Sequence, residues 1–160
     1  MSIHVTLEDA LDSRAATADG YVVYRRAHAS GADILHRVTP TGTEDFIAFE
    51  SAPLTPAVHY AIALGDEVAG LRLVGNSLEL LDRKGTPRLR VVPPILVDRD
   101  GKQHLAALAV EDCGVDTNPS APHRRPVIAP ASARCVLRVS WNDRHVIYPA
   151  LLDPVMRQEI

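Results

Sequence analysis

The sequence predicts an all-β domain: an antiparallel β-sandwich, or an open barrel, of about ten short strands. Three observations carry that expectation. Apolar and polar residues alternate in short runs, as strands with one wet face require. The runs recur every 8–12 residues, with turn chemistry between most of them. Aromatic residues make up only 4% of the chain against 46% apolar residues, so the core is built from small branched side chains packed closely.

The elements follow in order. "IHVTLED" (3–9) alternates. "YVVYRRA" (21–27) and "ADILHRVTP" (32–40) are separated by the turn-like "HASG". "GTEDFIAFE" (42–50) comes directly after "TPTG", so 32–50 reads as a hairpin turning at Thr41 and Gly42. "AVHYAIAL" (57–64) sets Val58, Tyr60, Ile62 and Leu64 on one face. "GLRLVGNSLELLD" (70–82) carries Gly75 and Asn76 at its middle, a short turn between two strands. "RLRVVPPILVDRDGKQHLAALAVED" reads as strand, Pro93-Pro94 break, strand, Asp-Gly turn and strand. "ARCVLRVSWN" (133–142) and "VIYPALLD" (146–153) complete the set. Helix propensity resides only in 7–19 and in "QHLAALAVED", both rich in Ala and Leu, which leaves room for one short helix at 7–17. The 160 residues fit a single β domain, with 116–132 as a Pro-rich loop inside it.

Net charge is −3. That argues against nucleic acid as a partner, which needs a clustered positive face. No apolar run approaches a membrane span, so no membrane insertion is expected. The opening "MSIHVTLEDA" has neither a basic n-region nor an apolar h-region, so no signal peptide is read there.

Cys113 and Cys135 are the two cysteines, and they flank "GVDTNPSAPHRRPVIAPASAR", which cannot hold a long helix or strand. The expectation is one disulfide, which would place the domain in an oxidising compartment. The alternative is two buried thiols. Trp141, the only tryptophan, is expected to anchor the core near this pair.

Candidate chemistry is sparse. Seven histidines show no HxH, HxxxH or HExxH spacing, so no metal or other cofactor is assigned. Glu44 and Asp45 beside the hairpin turn could act as paired carboxylates or bind calcium. Strand neighbours point to opposite faces, though. The expectation is that one meets Arg37 across the hairpin and the other is solvated. Asp98 and Asp100 in "DRDGK" match only the first half of a calcium loop, and Asp116 in "VDTNP" is weaker still. No nucleophile elbow is present. A hydrolase or peptidase would need an activated thiol at Cys113 or Cys135 with a histidine, and no enzyme is expected.

"GADILHRVTPTGTEDFIAF", "LRLVGNSLELLDRKGTPRLRVVPPILVDRDG" and "RVSWNDRHVIYPALLDPV" together resemble a β-rich module of large secreted bacterial proteins, where it precedes Kelch-type, laminin-G-like or Rhs/YD-repeat regions. The matching residues are Gly31, Asp33, Arg37 and 42–45, then 78–101, then 148–154, and the likeness covers about 20–155. The cysteine pair is similar to the form found in myxobacteria-like organisms. The resemblance implies a non-enzymatic extracellular or cell-surface building block, structural or adhesive, that caps or spaces a larger assembly. Its partners would be neighbouring domains or other proteins. The module is expected secreted even though no signal peptide is read, so the chain is either one domain of a longer protein or a stand-alone relative. Tyr148 and Pro149 would end an edge strand, because proline cannot donate to the ladder. Asp153 and Pro154 would force an extended exit to a next domain. A small-ligand module, for sugar or calcium, is the alternative reading of the acidic turns.

Overall fold

The computed structural model describes residues 1–158. No helix occurs among them; fifteen strands form two antiparallel sheets, compatible with a β-sandwich and without barrel closure.

The small sheet has four strands, in the order β1 (Ile3–Leu7), β6 (Ala57–Leu64), β13 (Arg134–Ser140), β12 (Ala107–Glu111). Its inward positions are those the alternation marks. Val58, Tyr60 and Ile62 on β6 are buried beside Cys135, Leu137 and Val139 on β13.

The large sheet has eleven strands. It begins as a meander of β2 (Ala15–Ala18), β3 (Tyr21–Tyr24), β4 (Asp33–Thr39) and β5 (Gly42–Phe49). The hairpin of β4 and β5 turns at Pro40 and Thr41, one residue earlier than expected, so that Thr39 pairs with Gly42. Beyond β5 two strands lie end to end. β14 (Ala150–Asp153) pairs with the 47–49 end of β5, and β15 (Val155–Gln158) with its 42–44 end. Each then leads its own branch. β14 continues to β10 (Ile95–Val97) and β11 (Gln103–Leu105); β15 continues to β9 (Pro87–Val91), β8 (Ser77–Leu81) and β7 (Gly70–Val74). The sheet therefore forks at Pro154, the residue between β14 and β15. A proline fits there because a break in the ladder asks for no N–H. Gly42 fits beside it, since the Met156 backbone occupies the space a Cβ would take.

Two expectations are corrected. The segment 146–153 is not an edge strand leading outward: it becomes strand only at Ala150, after a cis Tyr148-Pro149 bond, and β14 is paired on both sides. Pro149 and Pro154 bound the strand instead of blocking its neighbours, and past Asp153 the chain turns into the sheet. The second correction concerns 7–17. Leu7 closes β1, Asp9 turns the chain at φ 57°, and Leu11 N–H donates to the Ala27 carbonyl on the way to β2. "QHLAALAVED" likewise divides into β11 and β12 around buried Ala106. Alanine's helix preference is a few tenths of a kcal/mol per residue, which ladder pairing overrides.

The core fills the gap between the sheets. Ile47, Leu78, Leu80, Leu96 and Leu152 from the large sheet are fully buried, as is Val139 from the small one. At one end Trp141 stacks at a tilt on Phe49, ring centroids 5.4 Å apart, and its Nε1–H donates to Tyr148 Oη at 3.2 Å. The two sheets are also tied at the β7–β8 turn. Gly75 and Asn76 both adopt positive φ (57° and 59°), the signature of a type I′ hairpin. The Asn76 amide donates to Ala106 O at 2.7 Å and accepts from Leu108 N–H at 2.8 Å.

Candidate functional site

The acidic turns close hairpins. Asp98 Oδ1 accepts from the N–H groups of Asp100 and Lys102, and Oδ2 meets His104 Nε2 at 2.8 Å. Its side chain is 1% exposed. Asp82 repeats the device: Oδ1 accepts from Lys84 and Thr86 N–H, and Oδ2 from Arg88 Nε. Gly85 and Gly101 take the left-handed position in each turn, at φ 77° and 78°. The underlying sequences, "DRKGTPR" and "DRDGKQH", are thus two copies of one turn: an aspartate, a glycine three residues on, and a side-chain donor six residues on. Both carboxyls are held below the usual carboxylate range. The Thr86 N–H contributes most at Asp82, and His104 contributes most at Asp98. The Asp100 side chain is exposed, and among the described residues it meets only Arg99, in a long ion pair of 3.7 Å.

Asp116 holds a different structure. Its Oδ1 accepts from Asn118 N–H and its Oδ2 from Arg125, and its pKa is lowered chiefly by the first of these. Its backbone pairs with β7: Asp116 N–H donates to Leu71 O and Leu73 N–H to Asp116 O. Arg72, buried and paired with Glu79 at 2.7 Å, adds a hydrogen bond to Pro119 O. Val127 and Ile128 pack over Gly70. The Pro-rich loop is therefore a strap lying along the outer edge of β7. Cys113 and Cys135 are bonded to one another at the strap's two ends, with Cα atoms 5.4 Å apart, and Gly114 N–H donates to Pro130 O beside them. Neither sulfur is a free thiol, which removes the thiol-nucleophile reading. Trp141 does not sit near this bridge. Cys135 is the second residue of β13 and Trp141 follows its far end, about 20 Å away at ~3.3 Å per residue. The tryptophan anchors Phe49 and Tyr148 instead.

Glu44 and Asp45 point to opposite faces, as strand geometry demands. On the outer face Glu44 meets Arg37 directly across the hairpin at 2.7 Å. Asp153 shares that face, and burial together with the nearby Glu44 charge raises its carboxyl pKa. Asp45 is not simply solvated. It faces inward and pairs with His36 Nδ1 on β4. Alternation explains the placement: His36 shares a face with Ile34, and Asp45 with Thr43 and the fully buried Ile47. A His-Asp pair on core-facing positions is the departure from pattern that sequence reading passed over. The signal was present in "ILHRV" paired with "TEDFI".

That pair stands at the mouth of a cavity of about 290 Å³ between the sheets. Ile3, Val5, Leu137, Val91 and Met156 supply apolar walls, and Thr43 and Tyr60 complete the polar part. Tyr60 is 4% exposed, and its hydroxyl has no hydrogen-bond partner among the described residues. Burial first, and the Asp45 charge second, hold its pKa well above the ordinary phenol value, so the hydroxyl keeps its proton. Among the described residues no group of three or more His, Cys, Asp or Glu side chains is arranged to hold a metal ion.

No family model, no curated protein and no solved structure matches this chain.

Proposed function

We propose that this domain is a structural or adhesive module, secreted or displayed at the cell surface, that spaces or caps a larger assembly. The observation that carries the reading is the strap. A covalently closed Pro-rich loop covers the outer edge of β7, where an unpaired strand would otherwise recruit other chains. A disulfide in that position suits an oxidising compartment. The turn carboxylates Asp98 and Asp116 are engaged in holding backbone, which supports a scaffold over a calcium module. The segment resembling modules of secreted bacterial proteins contains these same turns, and its Asp33 likewise closes a turn through Arg26 N–H and Arg25. The partners of such a module are neighbouring domains or other proteins.

Intact mass with and without reduction, on protein exported to an oxidising compartment, tests the reading. A closed Cys113–Cys135 bridge in the soluble exported domain is expected. Two free thiols in folded, exported protein would overturn it. Millimolar calcium is expected to leave the melting temperature unchanged, and a rise on adding calcium would favour the ligand-binding reading of the acidic turns.

A further inference from the structure

We infer that the inter-sheet cavity bounded by His36, Asp45 and Tyr60 is a binding site for a small apolar molecule carrying one hydroxyl group, such as an alkylphenol. Its volume of about 290 Å³ lies at the small end of ligand sites, which run from roughly 300 Å³ upward. That is room for one ring and a short chain. The walls are aliphatic, from Ile3, Val5, Leu137 and Met156, so the body of the ligand is apolar.

The polar end is defined by two groups of opposite need. Tyr60 offers a protonated hydroxyl that donates to nothing among the described residues, and a buried unpaired donor is destabilising. Asp45, held in place by His36 at the mouth, is a carboxylate that only accepts. A hydroxyl satisfies both at once, accepting from Tyr60 and donating to Asp45. An ether satisfies only Tyr60, and a hydrocarbon neither. The polar residues also sit where the alternation calls for apolar ones, and such departures from local consistency concentrate at functional sites. The site does not depend on where the domain works, so its failure would leave the scaffold reading standing.

The test titrates the nitrogen-labelled, disulfide-intact protein by NMR with para-propylphenol, para-propylanisole and propylbenzene. The phenol is expected to shift amides around Val5, Asp45 and Leu137 with a dissociation constant below about 1 mM. The anisole should bind about fivefold to tenfold more weakly, the effect of one hydrogen bond, and propylbenzene more weakly still. Tyr60→Phe should weaken the phenol by a similar factor while leaving the melting temperature unchanged or raised, because it removes an unpaired hydroxyl. Asp45→Asn should weaken the phenol and leave the anisole unaffected. The inference is overturned by an absence of shifts at millimolar phenol, by propylbenzene binding as tightly as the phenol, or by Tyr60→Phe binding the phenol undiminished. A fall of several degrees in the Tyr60→Phe melting temperature would also overturn it, since the hydroxyl would then have a structural partner.

Discussion

Asn76 is one residue in a two-residue turn, yet it ties the β7–β8 hairpin to the connection between β11 and β12. Replacing it separates two effects that the structure superimposes. Asn76→Ala removes the partner of the Ala106 carbonyl and of the Leu108 amide, both on buried residues. Each loss is worth about 1–1.5 kcal/mol. Alanine must also occupy the left-handed region at φ 59°, a further penalty of about 1 kcal/mol. The sum is about 3–4 kcal/mol. Asn76→Gly loses the same hydrogen bonds but adopts the positive φ freely, so its loss should be about 2–3 kcal/mol. Urea unfolding of the oxidised protein measures both, with an unchanged slope expected because the folded surface is unchanged. In thermal scans the glycine variant should melt about 4–12 °C lower. If glycine lies within about 0.5 kcal/mol of the parent, the surface-substitution range, the side-chain clamp contributes nothing and the reasoning fails. If alanine and glycine are equal, the backbone part of the argument fails alone.

Replacing Cys113 and Cys135 together by alanine frees the strap and should lower stability by about 3 kcal/mol on the loop-entropy model, read by urea unfolding. It should also raise protease sensitivity within 116–132, and an unchanged cleavage pattern would count against the strap. Leu152→Ala, at a fully buried position paired with Ile47, should cost about 3–4 kcal/mol by the same assay. Asp153→Asn should raise the melting temperature at neutral pH. Burial and Glu44 raise its folded pKa, so the ionised form is disfavoured above that pKa, and the gain should vanish as pH falls below about 4, the unfolded value. For Asp82, Asp98 and Asp116 the sign is opposite: their folded pKa values are depressed. Their stabilisation is present above about pH 4 and is lost as pH falls through the lowered values. Acid titration of ellipticity should therefore show unfolding below about pH 4. Asp98→Asn should be less stable than the parent at neutral pH and lose less stability on acidification; an acid-induced loss as large as the parent's would contradict the assignment.

The strands and most turns were legible because period-two alternation and Gly, Asn and Asp punctuation act locally. Gly75 and Asn76, and the Asp-Gly turn at 98–101, needed nothing from the rest of the chain. The Arg37 and Glu44 pair followed from hairpin register. What could not be read was order. Nothing local says that β14 and β15 both lie against β5, or that Pro154 marks a fork and not an exit, because those facts depend on strands far apart in sequence. Ala-rich 7–17 was ambiguous for the same reason: propensity is weak, and pairing with β3 decides. The cavity failed differently. His36, Asp45 and Tyr60 were each visible, but the inward face of the hairpin is identified only by what packs opposite, so neither the pairing of the first two nor the place of Tyr60 at a cavity could be read.

The fork at Pro154 has a bearing on how the chain is made. Synthesis delivers β5 before β9, and the two are not paired with one another directly. The strand that joins them, Val155–Gln158, emerges after both. Until it arrives, β5 and β9 each present an open row of amides and carbonyls, the kind of surface that captures strands from other chains. The two half-sheets are thus joined only once β15 has followed them, and the chain is most vulnerable before it does.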